Sequence, residues 1–158
     1  MKKFEFTGET KTISLFFRTA TLHRIRAVAE FGLVKIGDLG GWIEKEENLS
    51  HEGKAWVWGN AKVCGDAKVC GDAEVFSASH VLVIGAIGSR DDFTTFFRDK
   101  DSEITVKCGC FLGKIDKFLE KVKQTHGDSK YALVYRAAVE VARLQIDLLG
   151  EAPKDADE

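Results

Sequence analysis

Between Ala55 and Ile84 the apolar and polar positions repeat every six residues: AWVWGN AKVCGD AKVCGD AEVFSA SHVLVI. Valine recurs at 57, 63, 69, 75 and 81. A small residue stands two places before each (Ala55, Ala61, Ala67, Ala73, Ser79), and Gly or Ser stands two places after the first four (Gly59, Gly65, Gly71, Ser77). Hexads of this kind stack into solenoids. The predicted fold is therefore mainly β with C-terminal α, built on a short left-handed parallel β-helix over 33–88. Three hexads make one triangular turn, so about three coils fit, stacked at about 4.8 Å. Leu33 and Leu39 precede the phase and Ile87 follows it, which predicts the ladders Leu33–Val69–Ile87, Leu39–Val57–Val75 and Val63–Val81. Lys45 and His51 break the phase, so 44–53 reads as an irregular corner.

Either side of the repeat the periodicity changes. Residues 3–7 and 12–18 alternate or run apolar, TLHRIRAV (21–28) reads as a strand, and VKIGDLGGWIE (34–44) enters the coil with glycines at its bends. Residues 1–32 are thus predicted to form an N-terminal β cap. After the turn GSRDD, FTTFFR (93–98) and EITVKCGCF (103–111) read as a β-hairpin. Two amphipathic helices follow. One spans about 114–125 with Ile115, Phe118, Leu119 and Val122 inward; the other spans about 129–149 with Tyr135, Ala138, Val139, Ala142 and Ile146 on one stripe. Asp128 is the expected N-cap of the second helix, and Gly150 followed by Pro153 its stop. Hairpin and helix pair together make a unit over 89–150, and 151–158 is expected to be a disordered tail.

A coil this short has two open ends and needs caps or copies of itself. The positions following the valines point outward and include Trp58, Phe76 and Leu82. Surface aromatics at that density predict a covered face, with the C-terminal helices or neighbouring subunits as the cover. A homo-oligomer, specifically a trimer with Trp58, Phe76 and Leu82 at its interface, is the expectation. The formal net charge of −2 speaks against a nucleic-acid partner, which would call for a basic field. No apolar run reaches the roughly 18 residues of a membrane span, and KKFEF is not followed by a signal-peptide core. A cytoplasmic protein with no membrane partner, its four cysteines present as thiols, is predicted.

Three groups of residues carry candidate chemistry. Ser89, Arg90, Asp91 and Asp92 form a polar turn, with Arg98 and Lys107 across the hairpin and His126, Asp128 and Lys130 at the helix break. Guanidinium and ammonium groups beside turn amides suit an anionic ligand such as a nucleotide phosphate; the competing reading is local charge compensation in a turn. Cys108 and Cys110, alternating on one strand with thiols about 7 Å apart, would need His126 as a third ligand to hold zinc, and no fourth ligand is apparent. Small buried thiols are the alternative. His80, outward on the coil, is placed for the general base of a β-helical acyltransferase but has no partnering carboxylate. Trp42, beside GDLGG, reads as a stacking platform or as a cap on the open coil end. Residue chemistry alone therefore predicts neither cofactor nor metal, and no catalytic residue unless His80 serves one.

The succession TLHRIRAV, GDLGGWIEKEENLS, the AxVxGD hexads, IGAIGSRDD, CGCF and THGDSKY resembles a family of hexapeptide-repeat proteins encoded by phages and prophages. The resemblance spans nearly the whole chain, whereas family members often carry more hexads. It implies a left-handed β-helix stem with a C-terminal αβ module, acting in the cytoplasm of an infected bacterium. By analogy of lifestyle, it implies an anti-defence role. That role is either sequestration of a small anionic, nucleotide-like signal at subunit interfaces or inhibition of a host defence protein through the aromatic face or the acidic corner Glu44, Glu46 and Glu47.

Overall fold

The computed structural model describes residues 2–149. The chain folds as several antiparallel and mixed sheets followed by two helices, and not as a three-coil parallel left-handed β-helix. The first sheet has the order β1-β2-β3-β5: β1 (Phe4–Ser14), β2 (Thr19–Ala27), β3 (Leu39–Ile43) and β5 (Lys62–Val63). Strands β1, β2 and β3 are antiparallel; only β3 and β5 run parallel, with Ile43 beside Val63. A two-stranded parallel pair joins β4 (Trp56–Val57) to β6 (Glu74–Val75), and a single parallel bridge joins Leu49 to Val69. The hexads from Lys62 to Val75 thus make one pass, laid on the preceding segment 42–57 by three short parallel contacts.

The upper pass turns at two glycines between its valines. Gly65 and Gly71 both sit at φ 64°, a left-handed conformation that favours glycine, and the Ala before each following valine is buried. Val57, Val63, Val69 and Val75 are all at most 2% exposed and fill a common core with Ile43, Leu49, Trp56 and Phe4. One predicted ladder contact, Val57 against Val75, is hydrogen-bonded in register. The other ladders are not formed. Leu33 is 85% exposed, Leu39 pairs antiparallel with Arg26, and Val69 faces Leu49. Both lower and upper passes are joined at the irregular corner by Asn48, wholly buried, whose Oδ1 accepts from Glu44 N (3.2 Å) and Lys45 N (2.9 Å). Its Nδ2 donates to Gly65 O (3.0 Å) and Ala67 O (2.9 Å).

The parallel pairing of the hexads ends at β6, after the last Gly-Asp turn of the repeat. Between Ser77 and Ile87 the chain has no Gly-Asp turn, and VLVIGAI becomes one long strand, β7 (Val81–Ile87). It pairs antiparallel with β8 (Asp92–Arg98), Val81 opposite Phe97. A strand with a complementary neighbour only a short turn away closes a smaller loop than one that must stack on a distant coil. A second sheet of order β10-β9-β8-β7 results, with β9 (Ile104–Cys108) and β10 (Phe111–Lys114), entirely antiparallel.

This sheet is the middle layer. Strand β8 is buried on both faces and alternates between two cores: Phe97 packs with the valines of the repeat, while Phe96 packs with the helices. Helix α1 (Ile115–His126) buries Ile115, Phe118 and Val122, and α2 (Lys130–Gln145) buries Ala132, Tyr135, Ala138, Val139 and Ala142. Gly127 at φ 57° breaks the chain between them. Asp128 lies outside the N-cap position, which Ser129 occupies, and pairs instead with Arg136 at 3.7 Å. The second helix stops at Gln145, before the predicted boundary; the stop signals at 150 and 153 and the tail lie outside the described residues. No helix among the described residues is long and apolar enough to cross a membrane.

Candidate functional site

A cleft of about 300 Å³ opens where the β7–β8 turn meets the α1–α2 break. Ser89, Arg90 and Asp92 come from the turn, Cys108, Cys110 and Phe111 from the β9–β10 hairpin, Phe118, Lys121, Val122, Thr125 and His126 from α1, and Tyr135 from α2. Its wall is aromatic. Phe118 stands edge-on to Tyr135 at 5.6 Å and lies 5.5 Å from Phe111, while His126 is stacked on Tyr135 at 5.8 Å, 26° from parallel. The α1 part of the lining follows helical spacing: Phe118 and Val122 lie one turn apart on the inward stripe, and Lys121 and Thr125 ride on the edge of that stripe.

Electrostatics at the mouth favour an anion. Arg90 and Lys121 are exposed cations with no salt bridge among the described residues, facing the single carboxylate of Asp92. Tyr135 stays protonated throughout the physiological range: burial, reinforced by Cys108, pushes its hydroxyl up to about 12. That hydroxyl is held in the floor, within reach of Cys108 Sγ (3.9 Å) and against Gly88. Cys108 Sγ in turn accepts from Thr94 Oγ1 at 3.4 Å.

A larger groove of about 670 Å³ lies on the other side of the β9–β10 hairpin, beside the irregular corner. There Lys68 and Lys107 face three carboxylates, Glu46, Glu47 and Glu52. Its histidine is committed: His51 Nδ1 accepts from Lys3 N (3.0 Å), its Nε2 lies 3.0 Å from Glu46 Oε1, and its ring stacks on Phe4. With acid in excess and its imidazole occupied, the groove suits an anion less well than the cleft does.

The residues singled out in the sequence are thereby divided. Arg90 and His126 share the cleft with Ser89 and Asp92. Asp91 stays at the exposed turn with φ 48°, and Lys130 is exposed at the start of α2 away from the lining. Lys107 projects from the opposite face of β9 to Cys108 and donates to Gly109 O at 2.7 Å. Arg98 ends β8 in the interior, 4% exposed, donating to Ser102 Oγ with its guanidinium 5.2 Å from the Phe76 ring.

His80 is 5% exposed rather than outward, and its Nδ1 accepts from Phe76 N at 3.0 Å to close a 3₁₀ turn. Burial, then the nearby Arg98, lowers its pKa. Trp58 and Phe76 do meet, at 4.8 Å, but Arg98 and His80 lie against Phe76, and Leu82 packs under the helices. These three side chains form no single outward face. Trp42 is buried in β3 beneath Lys11, whose Nζ sits 4.0 Å from its ring.

Cys108 and Cys110 do not alternate on one strand, because a tight turn with Gly109 at φ 57° separates β9 from β10. Among the described residues no three His, Cys, Asp or Glu groups converge as a metal site, and all four cysteines are free thiols. Lys121, Thr125, Phe111, Phe118 and Tyr135 were not singled out for the site. By pattern Phe118 and Tyr135 belong to the inward core stripes, whereas the edge position of Lys121 on the α1 wheel is a visible signal. Compared with protein-family models and with curated proteins, the chain matches none.

Proposed function

We propose that the protein binds, without converting it, a small anionic molecule with a flat apolar part, in the cleft between the β7–β8 turn and helix α1. The observation that carries this reading is the pair of free cations, Arg90 and Lys121, at the mouth of an aromatic-walled cleft. A guanidinium and an ammonium group suit a phosphate or carboxylate, and the rings of Phe118, Tyr135 and His126 suit a planar base. About 300 Å³ is at the lower end of small-molecule sites, so a mononucleotide is the right scale. The buried, engaged His80 supports binding over acyl transfer. Resemblance to phage hexapeptide-repeat proteins extends this reading to sequestration of a nucleotide-like defence signal. Here the lining comes from one chain and does not depend on a trimer.

Thermal unfolding with nucleoside monophosphates, and with inorganic phosphate as the control, tests it. A nucleotide at about a hundredfold its Kd stabilises by about 2.7 kcal/mol, which raises Tm by about 5 °C or more in a chain of this size. Arg90→Ala with Lys121→Ala abolishes the rise. If no nucleoside phosphate shifts Tm in the millimolar range, the reading is wrong. A second reading, binding of a host defence protein, is favoured by one feature: Phe16 and Phe17, 93% and 91% exposed, project at the tip of the β1–β2 hairpin. Capture of a host protein that is lost in Phe16→Ser with Phe17→Ser, with no nucleotide response, would select it.

A further inference from the structure

Three cavities adjoin one another around the end of the β8–β9 ladder. The cleft shares Asp92 and Gly109 with a compartment of about 140 Å³, and that compartment shares Lys68 and Lys107 with the groove of about 670 Å³. Their order follows from the pleat. Thr95 stands opposite Lys107 and Thr94 opposite Cys108, and neighbours along a strand point to opposite faces. Cys108 therefore belongs to the cleft, whereas Thr95 and Lys107 line the compartment on the other face. Asp92 and Gly109 sit at the turns that close this end of the ladder and border both.

The compartment carries the donors that an anion needs. Lys68 has no side-chain hydrogen bond or salt bridge among the described residues. Lys107 Nζ is held at the β9–β10 turn by Gly109 O at 2.7 Å, which leaves two of its three protons to donate. Thr95 is 1% exposed; its Oγ1 accepts from Lys68 N at 3.0 Å, and its own proton has no acceptor among the described residues. Of the two carboxylates present, Asp66 is paired with Lys45 at 3.0 Å, and Asp92 engages Oδ1 with Phe93 N at 2.7 Å, leaving Oδ2 at the junction with the cleft. Glu46, Glu47 and Glu52 line the groove and not the compartment.

We propose that the ligand of the cleft carries two phosphate groups on separate positions of one sugar, the first at Arg90 and Lys121 and the second in the compartment at Lys68, Lys107 and Thr95. This rests on the reading of the cleft as a nucleotide site and narrows it. Ammonium groups and a hydroxyl are suitable phosphate donors. Asp92, bordering both sites, decides how the phosphates are joined. A carboxylate there repels a phosphate placed beside it, which disfavours the contiguous phosphates of a pyrophosphate, while its Oδ2 accepts from a sugar hydroxyl. The chemistry recognised is that of a nucleoside 3′,5′-bisphosphate, either free or as the 5′ end of a dinucleotide whose second nucleoside extends into the groove.

Calorimetric titration of the full chain with AMP, ADP, adenosine 3′,5′-bisphosphate and 5′-phosphorylated diadenylate tests the proposal. The bisphosphate binds about tenfold tighter than AMP, and ADP gains less. Lys68→Glu, at an exposed position outside the cleft, abolishes the gain and leaves AMP affinity as it was, which also shows that the variant is folded; Lys68→Arg keeps the gain. Diadenylate binding tighter than the bisphosphate assigns the second phosphate to a dinucleotide, and binding no tighter assigns it to the free bisphosphate. A bisphosphate no tighter than AMP, an equal gain from ADP, or a gain that survives Lys68→Glu overturns the inference while the cleft reading stands. If none of the four binds, the cleft reading falls and takes this inference with it.

Discussion

Lys3 is 2% exposed, with its Nζ donating to Ala55 O at 2.7 Å and lying 4.8 Å from the Phe31 ring. Burial lowers its pKa from 10.5 to about 8. Between those values the unfolded chain holds a proton on Lys3 that the folded chain has released, so the contribution of Lys3 to stability rises with pH across that window. Urea titrations through it give a slope that is less upward in Lys3→Met than in the wild type; an unchanged slope would refute the assignment. Asn48 is the second residue on which much depends. Its carboxamide satisfies two backbone donors and two backbone acceptors across the two passes. Asn48→Ala leaves these without partners and costs at least about 3 kcal/mol by denaturant unfolding. A loss below about 1 kcal/mol would mean that water replaces the amide. Neither residue stands out in the sequence, because an asparagine in a polar corner and a lysine near a terminus are ordinarily solvated.

At the level of elements, two junctions decide the geometry. Glu44, at the end of β3, accepts from Arg18 at the β1–β2 tip (2.6 and 2.9 Å) and from Gly65 N (2.7 Å), so it ties the first sheet to the repeat. The Arg18 bond, helped by Gly65, holds its carboxyl at about 2. Below the ordinary value of 4.5 the unfolded chain takes up a proton first, so this stabilisation is present above pH 4.5 and is lost as pH falls toward 2. Glu44→Gln flattens the acid limb of a pH–stability curve; an identical limb would count against the tie.

The other junction is the β7–β8 turn, where Gly88 at φ 82° leaves no room for a Cβ against the Tyr135 hydroxyl. Gly88→Ala costs about 1–3 kcal/mol, part of which Tyr135→Phe in the same chain restores. If removing the hydroxyl gives no relief, the clash is not the cause. Helix positions were legible because their apolar stripes are long and regular. Strand partners were not. The hexad valines announce burial at every sixth place, but burial alone does not say whether Val81 stacks on Val63 or pairs with Phe97, and the nearby FTTFFR strand decided it.

For the molecule as a whole, the sheet β7–β10 separates a valine-filled core from a helix-covered one, and the cleft belongs to the second. Half of the candidate anion site was readable, since the turn and the helix break were recognised as polar junctions. Arg98 and Lys107 were misassigned to it because alternation along a strand sends neighbours to opposite faces, and the face depends on which strands flank it. All three tryptophans, 42, 56 and 58, lie on the repeat side, so their fluorescence reports that core while helical dichroism reports the other. Both signals should fall at one denaturant concentration; separated midpoints would show two independently folding halves.

Adjacent rings on β8, Phe96 and Phe97, face opposite ways into the two cores. Such a strand behaves as a shared keel. Stiffening applied from beneath the helices reaches the hexads through one backbone, and amide exchange around Val63 and Val69 would slow when a molecule occupies the distant cleft.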